Sequence, residues 1–297
     1  MRQPAKHVAI LMVVAVAAMR AQTPANVSDA SPTAGGAPQR TTLPIKAKTH
    51  EEYVAYQAAI ANKQNPEAME KSASEFAAKF PDSNIRLLLY RAVMKSYRTA
   101  GDPLKMMDAA LKVLELSKND PEALLSVAEV QEEHTTPMDL DREPRMEQAL
   151  ANAQRALATI DTDLIVPVGT PTDREEAYKK NLRSSSLAII GTIQYKREHY
   201  SEAETTLRGA LAADPTNPDG VVLLRLSLAL DQQKKYEDAL QQANYAVELT
   251  KEETEVGRLA RTERNRLTAV IAQNSAAPKA PSDGSDDAEP TEASPSN

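Results

Sequence analysis

The sequence predicts an all-α protein built as a row of helix hairpins. Three observations carry that expectation. Between His50 and Gln273 the chain is dominated by Ala, Leu, Glu, Lys, Arg and Gln, the strong helix formers. Its apolar residues recur at spacings of three and four, as in Tyr90, Val93, Met94 and Tyr97, and no stretch alternates as a half-buried strand would. Prolines from Pro66 to Pro218 divide the same region into segments of helix length, because proline in a helix interior costs about 3 kcal/mol.

The first 21 residues read as a secretory signal. Arg2 and Lys6 make a basic start, Val8 to Ala18 is an uncharged apolar run, and small residues before a polar stretch place cleavage after Ala18 or Ala21. That run is shorter than the roughly 20 residues a membrane-spanning helix needs. Arg20 argues against the alternative, an uncleaved anchor extended through Met19 to Ala21. The expected product is exported, periplasmic or secreted, with no integral membrane part after cleavage. Residues 22–48, rich in Pro, Ala, Ser, Thr and Gly, read as a disordered linker. Residues 274–297 carry Asp283, Asp286, Asp287, Glu289 and Glu292 against Lys279 and read as a disordered acidic tail.

Within residues 49–273 several helix starts carry cap signals. Thr49 precedes Glu52, Thr172 precedes Glu175 and Ser201 precedes Glu204, each at the spacing of a capping box. Asp102-Pro103 puts a cap residue before a proline at the first helical position.

The helices also repeat. Leu187, Ile190 and Gly191 are followed by Tyr200, Ala203, Leu207, Ala210 and Pro215. The same frame returns at 220–253 with Leu223, Leu226, Ser227, then Tyr236, Ala239, Ala243 and Ala246. It recurs more loosely from residues 50, 87 and 121. This pattern resembles the tetratricopeptide repeat, a helix–turn–helix unit of 34 residues. The resemblance implies an α-solenoid of five hairpins, closed by a capping helix over Thr254 to Gln273. Small Gly191 and Ala203 belong where two helices cross closely. The pattern lacks tryptophan throughout, and Met69, Met94 and Met106 stand at positions usually small, so looser packing is expected there.

Two stretches exceed the repeat, Glu132 to Pro144 and Asp161 to Pro171. Leu164, Ile165, Val166 and Val168 are too apolar for a fully solvated loop. They either patch the junction between two halves of the array or belong to a functional loop.

No catalytic, cofactor or metal site is expected. There is no GxSxG, no phosphate-cradling glycine loop and no HExxH, and cysteine is absent. His134 beside Glu132 and Glu133 reads as a solvated turn. The net charge of −7 argues against nucleic acid as a partner. The expected function is non-enzymatic: a protein-interaction scaffold of the cell envelope that holds a peptide or protein in a concave groove. By resemblance, the groove is lined by the first helix of each unit. It would run from basic (Arg91, Lys95, Arg98) through acidic (Glu122, Glu129) to Tyr195 and Lys196, ending at apolar Leu224 and Leu228. The alternative is a small-molecule carrier or enzyme whose site is formed jointly by the insertions at 132–144 and 161–171.

Overall fold

The computed structural model describes residues 45–276. The signal, most of the linker and nearly all of the acidic tail lie outside the described residues. Eleven helices occupy the described residues, with no strand among them. They are α1 (His50–Ile60), α2 (Pro66–Lys79), α3 (Ile85–Ala100), α4 (Pro103–Leu116), α5 (Pro121–Glu133), α6 (Arg142–Asp163), α7 (Thr172–Lys196), α8 (Tyr200–Ala213), α9 (Gly220–Gln232), α10 (Tyr236–Leu249) and α11 (Glu255–Ala276). They pair as the five expected hairpins, each stacked on the next, and α11 packs on α10 and α9.

Three starts share one device. Asn65, Asp102 and Asp120 each precede a proline at the first helical position. Their side chains accept from the N–H three residues on, at 3.1, 3.1 and 3.0 Å. Each such cap is worth about 1 kcal/mol. Thr49 caps α1 as expected, accepting from the Glu52 N–H at 3.1 Å. The Glu52 carboxylate, however, accepts from the Lys48 N–H and the Ser83 hydroxyl rather than closing a box on Thr49. Thr172 and Ser201 are not caps. Both lie inside the first turn, behind Pro171 and His199, which make no side-chain cap bond.

The reason at α8 is the hairpin turn itself. Glu198 takes a left-handed backbone, φ 64°, and the next N–H, of His199, reaches back to the Gln194 carbonyl at 2.9 Å. Gly101 (φ 74°) and Lys234 (φ 61°) do the same, with Asp102 reaching Tyr97 and Lys235 reaching Leu230. Three of the five hairpins, α3–α4, α7–α8 and α9–α10, therefore reverse by one repeated turn, whose geometry ends the first helix without needing a side-chain cap.

The core runs the length of the stack. One cluster joins α1 to α5, a second α5 to α7, a third α7 to α11, and a fourth seals α9 beneath α11. Met69, Met94 and Met106 are buried within the first cluster. The units where looser packing was expected are filled by these unbranched, adaptable side chains. Gly191 and Ala203 stand at the α7–α8 crossing. A Cβ on Gly191 would meet Leu207 Cγ at 2.7 Å. Two boundaries differ from the sequence reading by a few residues. Ile45 and Ala47 pack against the first cluster, and α11 continues past Gln273 to Ala276.

Candidate interaction face

The first helices α3, α5, α7 and α9 carry the residues expected to line the groove. On α3, Arg91, Lys95 and Arg98 fall one helical turn apart and so share a face. Arg91 does not reach solvent; it is 5% exposed. Its guanidinium pairs with Asp120 and Glu122 at the start of α5, both buried, and donates to the Ile165 carbonyl at 2.9 Å. A buried arginine is stable only with such compensation.

Lys95 and Arg98 remain at the surface. Lys95 Nζ lies 3.1 Å from Glu122 Oε1, with its side chain half exposed, and 5.8 Å from the Tyr178 ring centroid on α7. Desolvation, together with the like charges of Arg91 and Arg98, depresses the Lys95 amine to about 7, and Asp120 opposes the shift. Arg98 donates to Ser126 Oγ at 2.7 Å and faces Glu129 at 3.4 Å.

The next contacts step along the row. Glu132, buried at the end of α5, faces Lys196 Nζ at 2.7 Å and Arg225 of α9 at 3.8 Å. Lys196 Nζ also donates to the Glu132 carbonyl at 2.6 Å. Tyr195 lies tilted against Tyr200, with ring centroids 5.6 Å apart. Burial raises its phenol above the usual range, reinforced by Tyr200 and the charges of Glu263 and Asp231. Arg266 of α11 closes the row on Asp231 at 2.6 Å and Glu263 at 3.0 Å.

Several of the expected groove residues therefore face the protein itself. Arg91 and Glu122 form an internal ion cluster. Leu224 is buried with Leu223, Ala246 and Ala260 under α11, and Leu228 packs against that cluster. The apolar end of the groove is covered by the capping helix, because an exposed leucine pair beside an amphipathic helix gains by being buried. The solvent-facing remainder is Lys95, Arg98, Glu129, Tyr195 and Lys196.

Sequence reasoning missed Asp120 and Tyr178. Asp120 carries a readable signal, the cap-then-proline pair also seen at Asp102-Pro103. Tyr178 has none, since it sits on the part of α7 that precedes the repeat frame.

The two insertions run into opposite ends of α6, where Pro144 and Asp161 stand about 26 Å apart along the helix axis. The second insertion lies over the first helices. Leu164 is buried in the second core cluster, Val166 packs on that cluster and Ile165 on the first, whereas Val168 is fully exposed at 104%. Pro167 to Thr170 forms a tight turn, closed by Thr170 N–H to the Pro167 carbonyl at 3.1 Å, with Gly169 at φ 83°. Leu164 to Val166 thus pack against the first two core clusters.

No family model and no curated protein matches the sequence. Among solved structures the chain is similar to Pseudomonas aeruginosa PilF, at 15% identity and TM-score 0.48 over 75% of this chain and 91% of that one. It is similar to the MamA protein at 14% and 0.46 over 67% and 92%. It is also similar to TTC0263, a thermophilic TPR protein of Thermus thermophilus, at 12% and 0.42 over 74% and 99%. These are likenesses of fold alone. The repeated left-handed turn and the Gly191–Leu207 crossing are the chain's own. The described residues form an α-solenoid of five stacked helix hairpins with α11 packed on the last.

Proposed function

We propose that this chain is a non-enzymatic interaction scaffold of the cell envelope, holding a peptide or protein against its concave face. One observation carries the reading. Between the buried cluster at Arg91 and the region covered by α11, the first helices leave Lys95 and Arg98 exposed and Glu129, Lys196 and Tyr195 partly exposed. Stacked hairpins make a concave face by construction. Arg98 supplies a fixed cation and Lys95, its amine depressed to about 7, a titratable one, and both suit an acidic stretch of partner. Export rests on the signal pattern at residues 1–21.

A pull-down from an envelope fraction, comparing wild type with Lys95→Glu/Arg98→Glu, tests the face. Arg91 is left intact because its charge is structural. Selective loss of a partner from the variant supports the reading. Unchanged partners would sink the basic face, and recovery of none by either protein would count against a scaffold. Export is checked by cell fractionation and by sequencing the mature N-terminus.

A further inference from the structure

A short segment of the chain itself, Leu164 to Val166, packs where α3 meets α5. Leu164 leaves α6 with an extended backbone, φ −65° and ψ 120°. Its side chain is buried, and those of Ile165 and Val166 are half-buried against two different core clusters. The Ile165 carbonyl accepts from Arg91, a residue 74 positions earlier, at 2.9 Å. Arg91 is held in place by its ion pairs with Asp120 and Glu122. The arrangement is that of peptide recognition: a preset donor takes a main-chain carbonyl while neighbouring pockets take side chains.

Other features set this segment apart from fixed core. Pro167 and Pro171 bound the turn and offer no backbone donor. The turn closes on itself, through Thr170 to Pro167, rather than on a helix. Val168 next to it is fully exposed.

We propose that Leu164 to Val166 is an internal ligand, exchangeable with a partner's extended apolar peptide of the same chemistry. That partner carries leucine or β-branched side chains in sequence, no charge at the place of Ile165, and a carbonyl for Arg91. This rests on the concave-face reading and names the chemistry of its α3–α5 end. While the segment is docked, an incoming peptide binds in competition with it, and its apparent affinity falls by the fraction of chains in which the site is open.

The probe is a fluorescent, amide-capped Leu-Ile-Val-Pro-Val peptide, titrated by anisotropy against the full chain. The comparison is Leu164→Ser/Ile165→Ser/Val166→Ser, which keeps the backbone and weakens the segment's hold. The peptide should bind this variant at least tenfold more tightly than wild type, and an Asp in place of its Ile should abolish binding. Equal affinity for a variant that keeps wild-type helicity overturns the proposal. Should the variant lose helicity, hydrogen exchange on the wild-type chain decides. Millimolar peptide should speed exchange at Ile165 and Val166, and unchanged exchange overturns the proposal. Neither failure touches the Lys95→Glu/Arg98→Glu pull-down, which tests the concave face on its own.

Discussion

Replacing Arg91 by methionine isolates the most consequential charge in the molecule. Methionine keeps much of the side-chain volume and removes the guanidinium. What remains is Asp120 and Glu122, with side chains 0% and 2% exposed, and an Ile165 carbonyl without its donor. Breaking a buried pair from one side costs roughly 3–5 kcal/mol, because the surviving charge stays desolvated. Here two carboxylates survive, but Lys95 Nζ at 3.1 Å from Glu122 supplies partial compensation. The lower end of that range, about 3 kcal/mol, is the expected loss. With urea m-values of about 1–3 kcal/mol/M, that lowers the midpoint by at least about 1 M. The readout is far-UV circular dichroism against urea at pH 7. Acid should then narrow the gap to wild type, because protonating the orphaned carboxylates removes the uncompensated charge, whereas wild type gains nothing from losing its pairs. Adding Glu122→Leu to Arg91→Met should restore part of the loss, since an apolar replacement has no charge left to bury. An Arg91→Met midpoint within about 0.3 M of wild type, or a gap that widens toward pH 5, would refute the description of this cluster as a compensated buried ion group.

Three further outcomes follow from the packing and the charges. Gly191→Ala should cost about 1–3 kcal/mol, because its Cβ would meet the buried Leu207 at 2.7 Å. Gly209→Ala, whose Cβ would meet Leu187 at an ordinary 3.8 Å, should gain up to about 1 kcal/mol from helix propensity, and thermal denaturation separates the two. Lys234→Gly relieves a left-handed backbone at φ 61° and should raise the melting temperature, whereas Lys234→Val should lower it. With the Lys95 amine near 7 in the folded chain against 10.5 ordinarily, the unfolded chain holds that proton more tightly between the two values. Stability should therefore rise with pH from 7 to 9, below the tyrosine range. Lys95→Met should flatten that rise, and a rise of equal slope in the variant counts against the assignment.

The hairpins are legible in the sequence because their causes are local. Asn65-Pro66, Asp102-Pro103 and Asp120-Pro121 each put a cap and a helix start in adjacent residues, and Gly191 with Ala203 marks a crossing within one unit. The charged face was legible only as a list. Arg91, Lys95 and Arg98 share a helical face, but whether each meets solvent or a carboxylate depends on residues about 30 positions away. The repeat frame places helices without fixing which charges on neighbouring first helices point at one another. The contact between Arg91 and Ile165 depends on how a loop outside the frame folds back, and periodicity carries no information about that. The capping boxes at Thr172 and Ser201 misled for a related reason. A hairpin turn with a left-handed residue can start α8 without a side-chain cap, and Glu204 is engaged instead by Lys235, Gln233 and Arg208.

The ion pairs across the first helices have a mechanical meaning as well as an electrostatic one. Arg98 to Glu129 ties α3 to α5, Lys196 to Glu132 ties α7 to α5, and Arg225 reaches from α9 to the same carboxylate. Every tie joins one first helix to another, so any motion that separates those helices lengthens it. A ligand that fits the existing spacing leaves them intact. One that has to spread the helices stretches several together, and the resisting force adds along the row. From α3 to α9 the ion pairs therefore act together as a brace against separation of the first helices.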